Sequence, residues 1–309
     1  MTQDHHHAHR HDHHDHNHEH AANQMLWPLL LTAGFAFIEA FGGWYSGSLA
    51  LLGDAGHMFS DAAALGLAWL GAWFAQRPVS QRHSYGLMRA EVIVAMVNGL
   101  VMLVVIGFIL YEAIQRLHTP QPVMGLQVTV IAFIGMVVNL LVAKNLHQHQ
   151  HSINQRAALL HVLGDLLGSL AALVAGVTIY FTGWTAIDPL LSIFISLLIL
   201  VSTIRLLAEV LHVLMEGVPN HLDITTVTKV MDALPKVHGV HSVHIWSLSS
   251  EISAISAHVV LNDLADWQEV LLGLRAKLHE QFDIDHITLQ PELVGETHHH
   301  QTDCWLTSR

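Results

Sequence analysis

The chain has 309 residues, 52% hydrophobic and only 12% charged, with a mean hydropathy of +0.41. That balance is a membrane protein's and excludes an ordinary soluble domain. A formal charge of −12, with only 13 Lys and Arg and no basic stripe, argues against nucleic acid as a partner, and the single cysteine, Cys304, excludes a disulfide framework or a multi-cysteine zinc site.

Residues 1–20 hold ten histidines interspersed with Asp, Asn, Glu and Arg10. Such a stretch cannot bury a core and is expected to be disordered, its imidazoles binding metal weakly and in many arrangements. Because acids interrupt it, we read it as a native metal-collecting tail rather than an expression tag. No cleavable signal is visible, since the first apolar run is long enough to span.

Six apolar runs follow, at about Met25–Tyr45, Ser48–Phe74, Glu91–Ile114, Val123–Ala143, Ala157–Phe181 and Ala186–Leu207. Each is near the ~20 residues that cross a bilayer. An even number puts both termini on one side. Arg77, Arg82 and Arg89 flank the second-to-third connection, Lys144 and Arg156 the fourth-to-fifth, and Arg205 ends the sixth run; the other side has Arg116 alone. The positive-inside rule therefore predicts cytoplasmic termini.

The second run carries Asp54, His57 and Asp61, although an ionisable group in hydrocarbon costs about 2.5–3.5 kcal/mol on insertion scales and usually marks a pathway or a site. His57 and Asp61 are four apart and share a helix face. The spacing returns in the fifth run as His161 and Asp165. A single His-Asp pair is as often a structural hydrogen bond as a site. Two pairs of the same order, each early in its span, argue for one shared tetrahedral ion held by two imidazoles and two carboxylates, a set that suits zinc.

Gly34, Gly42 and Gly43 in the first run and Gly164, Gly168 and Gly176 in the fifth allow close helix packing. Asn98 and Asn139 read as interhelical hydrogen-bonding groups, and Glu39 either lines a hydrated cavity or bonds a neighbouring helix. His147, His149 and His151 in the fourth-to-fifth connection form either a transient metal relay or a polar loop.

After Leu211 the character changes, with Pro219 as a break. The pattern then predicts a helix over Ile224–Leu234, strands over Val240–Leu248 and Ile252–Leu261, a helix over Trp267–Gln281 and a strand over Ile284–Gln290. The expected fold class is thus an α-helical membrane protein of six transmembrane helices plus a C-terminal α+β domain of order α-β-β-α-β. Its expected parts are a His-rich tail at 1–24, a membrane domain at 25–212, a cytoplasmic domain at 213–292 and a flexible tail at 293–309 with His298, His299, His300 and Cys304. Within the cytoplasmic domain His241 and His258 lie where adjacent strands would bring them together.

Four segments, GSLALLGDAGHMFSDAAAL, LLHVLGDLLGS, WTAIDP and GVHSVHIWSLS, resemble the cation diffusion facilitator family, and within it the bacterial zinc exporters. The likeness covers roughly residues 25–292. His-x-x-x-Asp in both spans is the pattern of the zinc-transporting branch; manganese-type members carry Asp-x-x-x-Asp. The resemblance implies a homodimer formed through a metallochaperone-like cytoplasmic domain and the membrane helices, embedded in the bacterial cytoplasmic membrane and exchanging divalent metal for protons by alternating access. It places the transport site on His57, Asp61, His161 and Asp165, and a cytoplasmic-domain metal site on His241, His258 and Glu292. At the family's second-to-third loop site only His83 matches, Ser80 and Leu87 standing at the other positions; the alternative is His83 paired with His286, as in animal zinc transporters. The two-metal cluster of some bacterial members is not reproduced, because Leu289 and Pro291 stand where its ligands would be. A family charge contact at the membrane–cytoplasm junction maps to Arg89 and Glu216.

Zn2+ is then the expected ion, as cargo and as a candidate structural ion. Four N/O ligands without thiolate permit release, and imidazole must be neutral to bind metal, so protons compete with zinc near the ordinary histidine pKa of about 6.5. The runner-up is a broader exporter of Cd, Co and Ni, because ligand types do not separate these ions. An intramembrane zinc hydrolase would need an open fourth position and a general base, and no H-E-x-x-H occurs. No Walker A sequence supports a primary pump, and six spans with a buried site argue against a sensor that never transports.

Overall fold

The computed structural model describes residues 15–75, 83–148, 153–249 and 252–295, and within them the side chains except those at 15–29, 64–65, 67–75, 145–148 and 153–161. Ser80, His149, His151, His298, His299, His300 and Cys304 lie outside the described residues, as does the tail through residue 14. Two compact units emerge, Met1–Ala63 with Met102–Leu200 and Ala64–Val101 with Val201–Arg309.

The helices are α1 (Asp15–Ser46), α2 (Leu49–Ala75), α3 (Ala90–His118), α4 (Gly125–Gln148), α5 (Ile153–Thr182) and α6 (Ile187–Leu214). Each of the six predicted spans falls on one of them. Most run past the predicted ends, because hydropathy reports the thickness of hydrocarbon and not the length of the hydrogen-bonded ladder. The largest difference is at α1, which begins at Asp15, ten residues ahead of the predicted span and inside the stretch expected to be disordered. Ala21 and Ala22 are strong helix formers joining that stretch to the apolar run, so the ladder extends backward into polar sequence. Among the described residues four helices are long and apolar enough to cross a membrane: Ala90–His118, Gly125–Lys144, Val162–Thr182 and Ile187–Leu214.

In the first unit α4 packs along α5, and α1 along α4. Glycines bring the backbones together: an ideal Cβ on Gly176 of α5 would stand 2.6 Å from the amide nitrogen of Thr129, and one on Gly125 of α4 would stand 2.9 Å from the carbonyl oxygen of Gly176. Gly47, with φ +74°, ends α1 and turns the chain into α2. The start of α2 is then pinned from α6. The buried carboxylate of Asp188 accepts hydrogen bonds from the Ser48 hydroxyl (2.5 Å) and the Leu49 amide (2.8 Å). Arg116 donates to the Gly47 carbonyl at the same turn.

The C-terminal elements are α7 (Ile224–Asp232), β1 (Val237–Ser247), β2 (Ser253–Leu261), α8 (Trp267–Phe282) and β3 (Ile284–Leu293), with a short 3-10 turn at Leu264–Asp266. The order is the predicted α-β-β-α-β. The sheet runs β1-β2-β3, with β1 antiparallel and β3 parallel to β2. Ile245, Ile255, Val259, Leu261 and Ile284 meet Val227 and Met231 of α7 and Val270, Leu274 and Leu278 of α8 in one core. Both helices therefore cover one sheet face, and the other carries polar side chains.

Candidate metal centre

His57 and Asp61 sit one turn apart on α2, and Asp165 approaches from α5. His57 Nδ1 is 3.4 Å from Asp61 Oδ2, and its Nε2 is 3.8 Å from Asp165 Oδ1. One donor atom from each of the three lies within 4.8 Å of the others. Ligands around a tetrahedral zinc with bonds of about 2.0–2.1 Å are about 3.3 Å apart, so small rotations suffice to close the group on an ion. Asp165 is 2% exposed, while the side chains of His57 and Asp61 keep 22% and 30% of their surface, so the group is only partly buried. His161 stands one turn before Asp165 in α5, where side chains are outside the description. The cluster is positioned at one end by the Asp188 clamp on the first turn of α2.

A second group forms on the polar face of the sheet. His241 of β1 is the direct cross-strand partner of His258 of β2, their rings 5.1 Å apart. Glu292 of β3 joins them: His241 Nε2 donates to Oε2 at 2.9 Å, and His258 Nδ1 meets Oε1 at 2.7 Å. Ser242 is the reason two of the β1 histidines, His241 and His244, share this face. The register advances three residues on β1, from His241 to His244, against two on β2, from His258 to Ser256. Ser242 takes up the extra residue in a left-handed conformation, φ 51°. This is a β-bulge, which re-aims side chains that strict alternation would send to opposite faces. A metal held here would be bound through imidazole nitrogens that carry no proton.

The cation efflux transmembrane domain matches residues 26–215, and the cytoplasmic domain of cation efflux proteins matches 219–294. The chain belongs to the cation efflux family. Relatives include zinc transporter ZitB of Escherichia coli, 39% identical over 90% of this chain and 94% of ZitB. The cadmium, cobalt and zinc/H(+)-K(+) antiporter of Bacillus subtilis is 36% identical over 91% and 92%. Metal cation efflux system protein CzcD of Cupriavidus metallidurans is 38% identical over 86% and 85%. A solved metal-bound C-terminal domain of that CzcD transporter is 40% identical, with a TM-score of 0.22, over 23% of this chain and all of the domain.

Elsewhere in this cation efflux chain, Arg89 Nη2 donates to Glu216 Oε1 at 3.3 Å. The ring of His286 is met edge-on by Tyr85, at 5.3 Å. His83 lines a cavity of about 870 Å³ together with Tyr85, Arg89, Glu216, His244 and Trp246.

Three features escaped the sequence reading. Asp188 lies in the WTAIDP segment, whose likeness was noted without a role; an Asp-Pro at a helix start was the available signal. Asp54 is ionisable by sequence, with no partner that spacing predicts; it is buried and accepts from Ser169 Oγ at 3.4 Å. His279, Asp283 and Asp285 converge at the end of α8, where the left-handed Asp283 (φ 54°) turns the chain back and His279 Nδ1 lies 2.6 Å from Asp285 Oδ1.

Proposed function

We propose that this cation efflux protein exports Zn2+ from the cytoplasm in exchange for protons, by alternating access, with His57, Asp61, His161 and Asp165 as the ligands of the transported ion. The convergence of His57, Asp61 and Asp165 from two helices, within 4.8 Å of one another, supports this reading above all. Nitrogen and carboxylate donors without sulfur bind zinc while leaving it exchangeable, and proton uptake by the vacated ligands favours its release.

The remaining parts take roles around that step. Six spans, including α1 and α2, cross the bacterial cytoplasmic membrane with both termini inside. The domain at 213–292 pairs two protomers as a homodimer and holds a further metal at His241, His258 and Glu292, and the histidines of residues 1–20 gather metal. His83 with His286 forms an accessory loop site. Arg89 and Glu216 hold the junction by charge. A broader range that includes Cd, Co and Ni is the second reading, favoured by the name of the Bacillus subtilis relative.

The test is zinc flux in proteoliposomes, with proton movement followed by an entrapped pH dye. His57→Ala and Asp61→Ala are each expected to cut zinc flux and zinc-stimulated proton movement together by about 10²-fold or more, the scale on which lost ligands act. Undiminished flux in either variant ends this account. Competing Cd or Co ions that leave zinc flux unaffected would dispose of the broader range.

A further inference from the structure

Glu39 of α1 is fully buried, and neither of its carboxylate oxygens has a hydrogen-bond partner. Room has been made for it: an ideal Cβ on Gly135 of α4 would stand 2.9 Å from Glu39 Oε1. A second buried carboxylate is cradled in the same way. A Cβ on Gly168 of α5 would stand 2.6 Å from Oδ1 of Asp54. Asn139 Nδ2 donates to Ser169 Oγ (3.1 Å), which donates to Asp54 Oδ2 (3.4 Å). The donation commits the amide nitrogen of Asn139 and leaves its carbonyl oxygen as an acceptor. Two glycines thus stand where two buried carboxylates approach a neighbouring helix, and a chain of buried polar groups adjoins one of them.

The titratable groups that act on Glu39 are Asp54 of α2 and Asp165 of α5; Asp61 acts on Asp54 as well. All are acidic, and no lysine or arginine offsets them among the described residues. Carboxylates sealed from water at this density persist only with a positive charge on or between them. The donors that converge in the metal cluster are those of His57, Asp61 and Asp165, and Glu39 is not among them.

We propose that Glu39 and Asp54 form a second intramembrane cation site, separate from the metal cluster, that takes the counter-ion as the metal leaves. The proposal rests on the exporter reading above. The donors are oxygens throughout: both of Glu39, those of Asp54, the Asn139 carbonyl and the Ser169 hydroxyl. An oxygen-only set suits a hard cation of single charge, a proton or an alkali ion, whereas the imidazole of the neighbouring cluster favours zinc-like ions. Asp54 and His57 stand one turn apart on α2, so a cation at one site repels a cation at the other and the two occupancies oppose each other, as an exchanger requires.

The test uses the full chain in liposomes with an opposing gradient of protons, of K+ or of Na+ in separate arms. One gradient is expected to accelerate wild-type zinc flux about tenfold, within the usual range of coupling between sites, and its identity names the ion. Glu39→Gln and Asp54→Asn are each expected to abolish that acceleration. Zinc affinity, read by chelator competition, is expected to weaken less than about threefold in both and by about tenfold or more in His57→Ala. Gly168→Ala keeps both carboxylates but crowds Asp54, and is expected to lose the acceleration while eluting as the wild type does on size exclusion. A Glu39→Gln protein that keeps the full acceleration, or one that loses zinc affinity as His57→Ala does, overturns the second site alone. Wild-type flux indifferent to all three gradients overturns the exchange reading and this site with it.

Discussion

Asp188 and Asp223 serve helix starts in different surroundings. Asp188 reaches from α6 to accept from Ser48 and Leu49 at the first turn of α2, where those groups are buried. Asp223 caps α7 in water, accepting from the amide of Thr226 at 2.8 Å and its hydroxyl at 2.7 Å. The Thr226 hydroxyl first, and its N–H next, hold the Asp223 carboxyl below the ordinary carboxylate value of 3.8. A group depressed in this way stabilises the fold above its unfolded pKa, and the contribution is lost as pH falls through the folded value. Asp223→Ala is therefore expected to melt below the wild type at pH 7, with the gap closing as pH drops below 3.8 toward the lowered pKa. Scanning fluorimetry across that range checks it; a gap that widens in acid contradicts the cap.

At the scale of elements, the α4–α5 pair depends on backbone-to-backbone approach. Lipid supplies no hydrophobic drive for helices to associate, so close packing across small residues has to hold them. Gly176 faces the amide and hydroxyl of Thr129 at distances that a Cβ would reduce to 2.6 and 2.7 Å. Backbone cannot yield as a flexible side chain can. Gly176→Ala is expected to cost about 1–3 kcal/mol, the usual range for overpacking. Denaturant unfolding in detergent measures it, and zinc flux should fall as well, because α5 carries Asp165. A neutral result would mean that the two helices slide apart freely.

For the molecule as a whole, the ion pair between Arg89 and Glu216 tests how much charge matters outside the bilayer. Glu216 is 66% exposed and Arg89 34%, so water screens the pair and its worth is at most about 1 kcal/mol. Its value to transport can exceed its value to stability if it fixes where α3 begins relative to the end of α6. Arg89→Glu and Glu216→Arg are each expected to slow zinc flux, and the double swap to restore it, with stability shifting by less than about 1 kcal/mol throughout. Equal slowing in the double variant would assign the effect to something other than the pair.

Much of this was written in local sequence. The six helices were legible because an apolar run of about 20 residues is a property of neighbours in the chain. The α-β-β-α-β order and the cross-strand approach of His241 to His258 followed from alternation, which is equally local. The paired His-x-x-x-Asp spacing marked His57, Asp61, His161 and Asp165 for the same reason, one helical turn being four residues. The tertiary structure alone decided how partners meet across distance. Family likeness groups Glu292 with His241 and His258, but it reaches them because β3 lies parallel to β2, and Ser242 adds a residue that no hydropathy pattern records. Asp188 reaches a helix start 140 residues away, and Glu39 is sealed against Gly135 on another helix. Such encounters are set by which glycines let helices touch and which hydrogen bonds fix register. Those are energies of pairs far apart in the chain, and periodicity along one segment does not contain them.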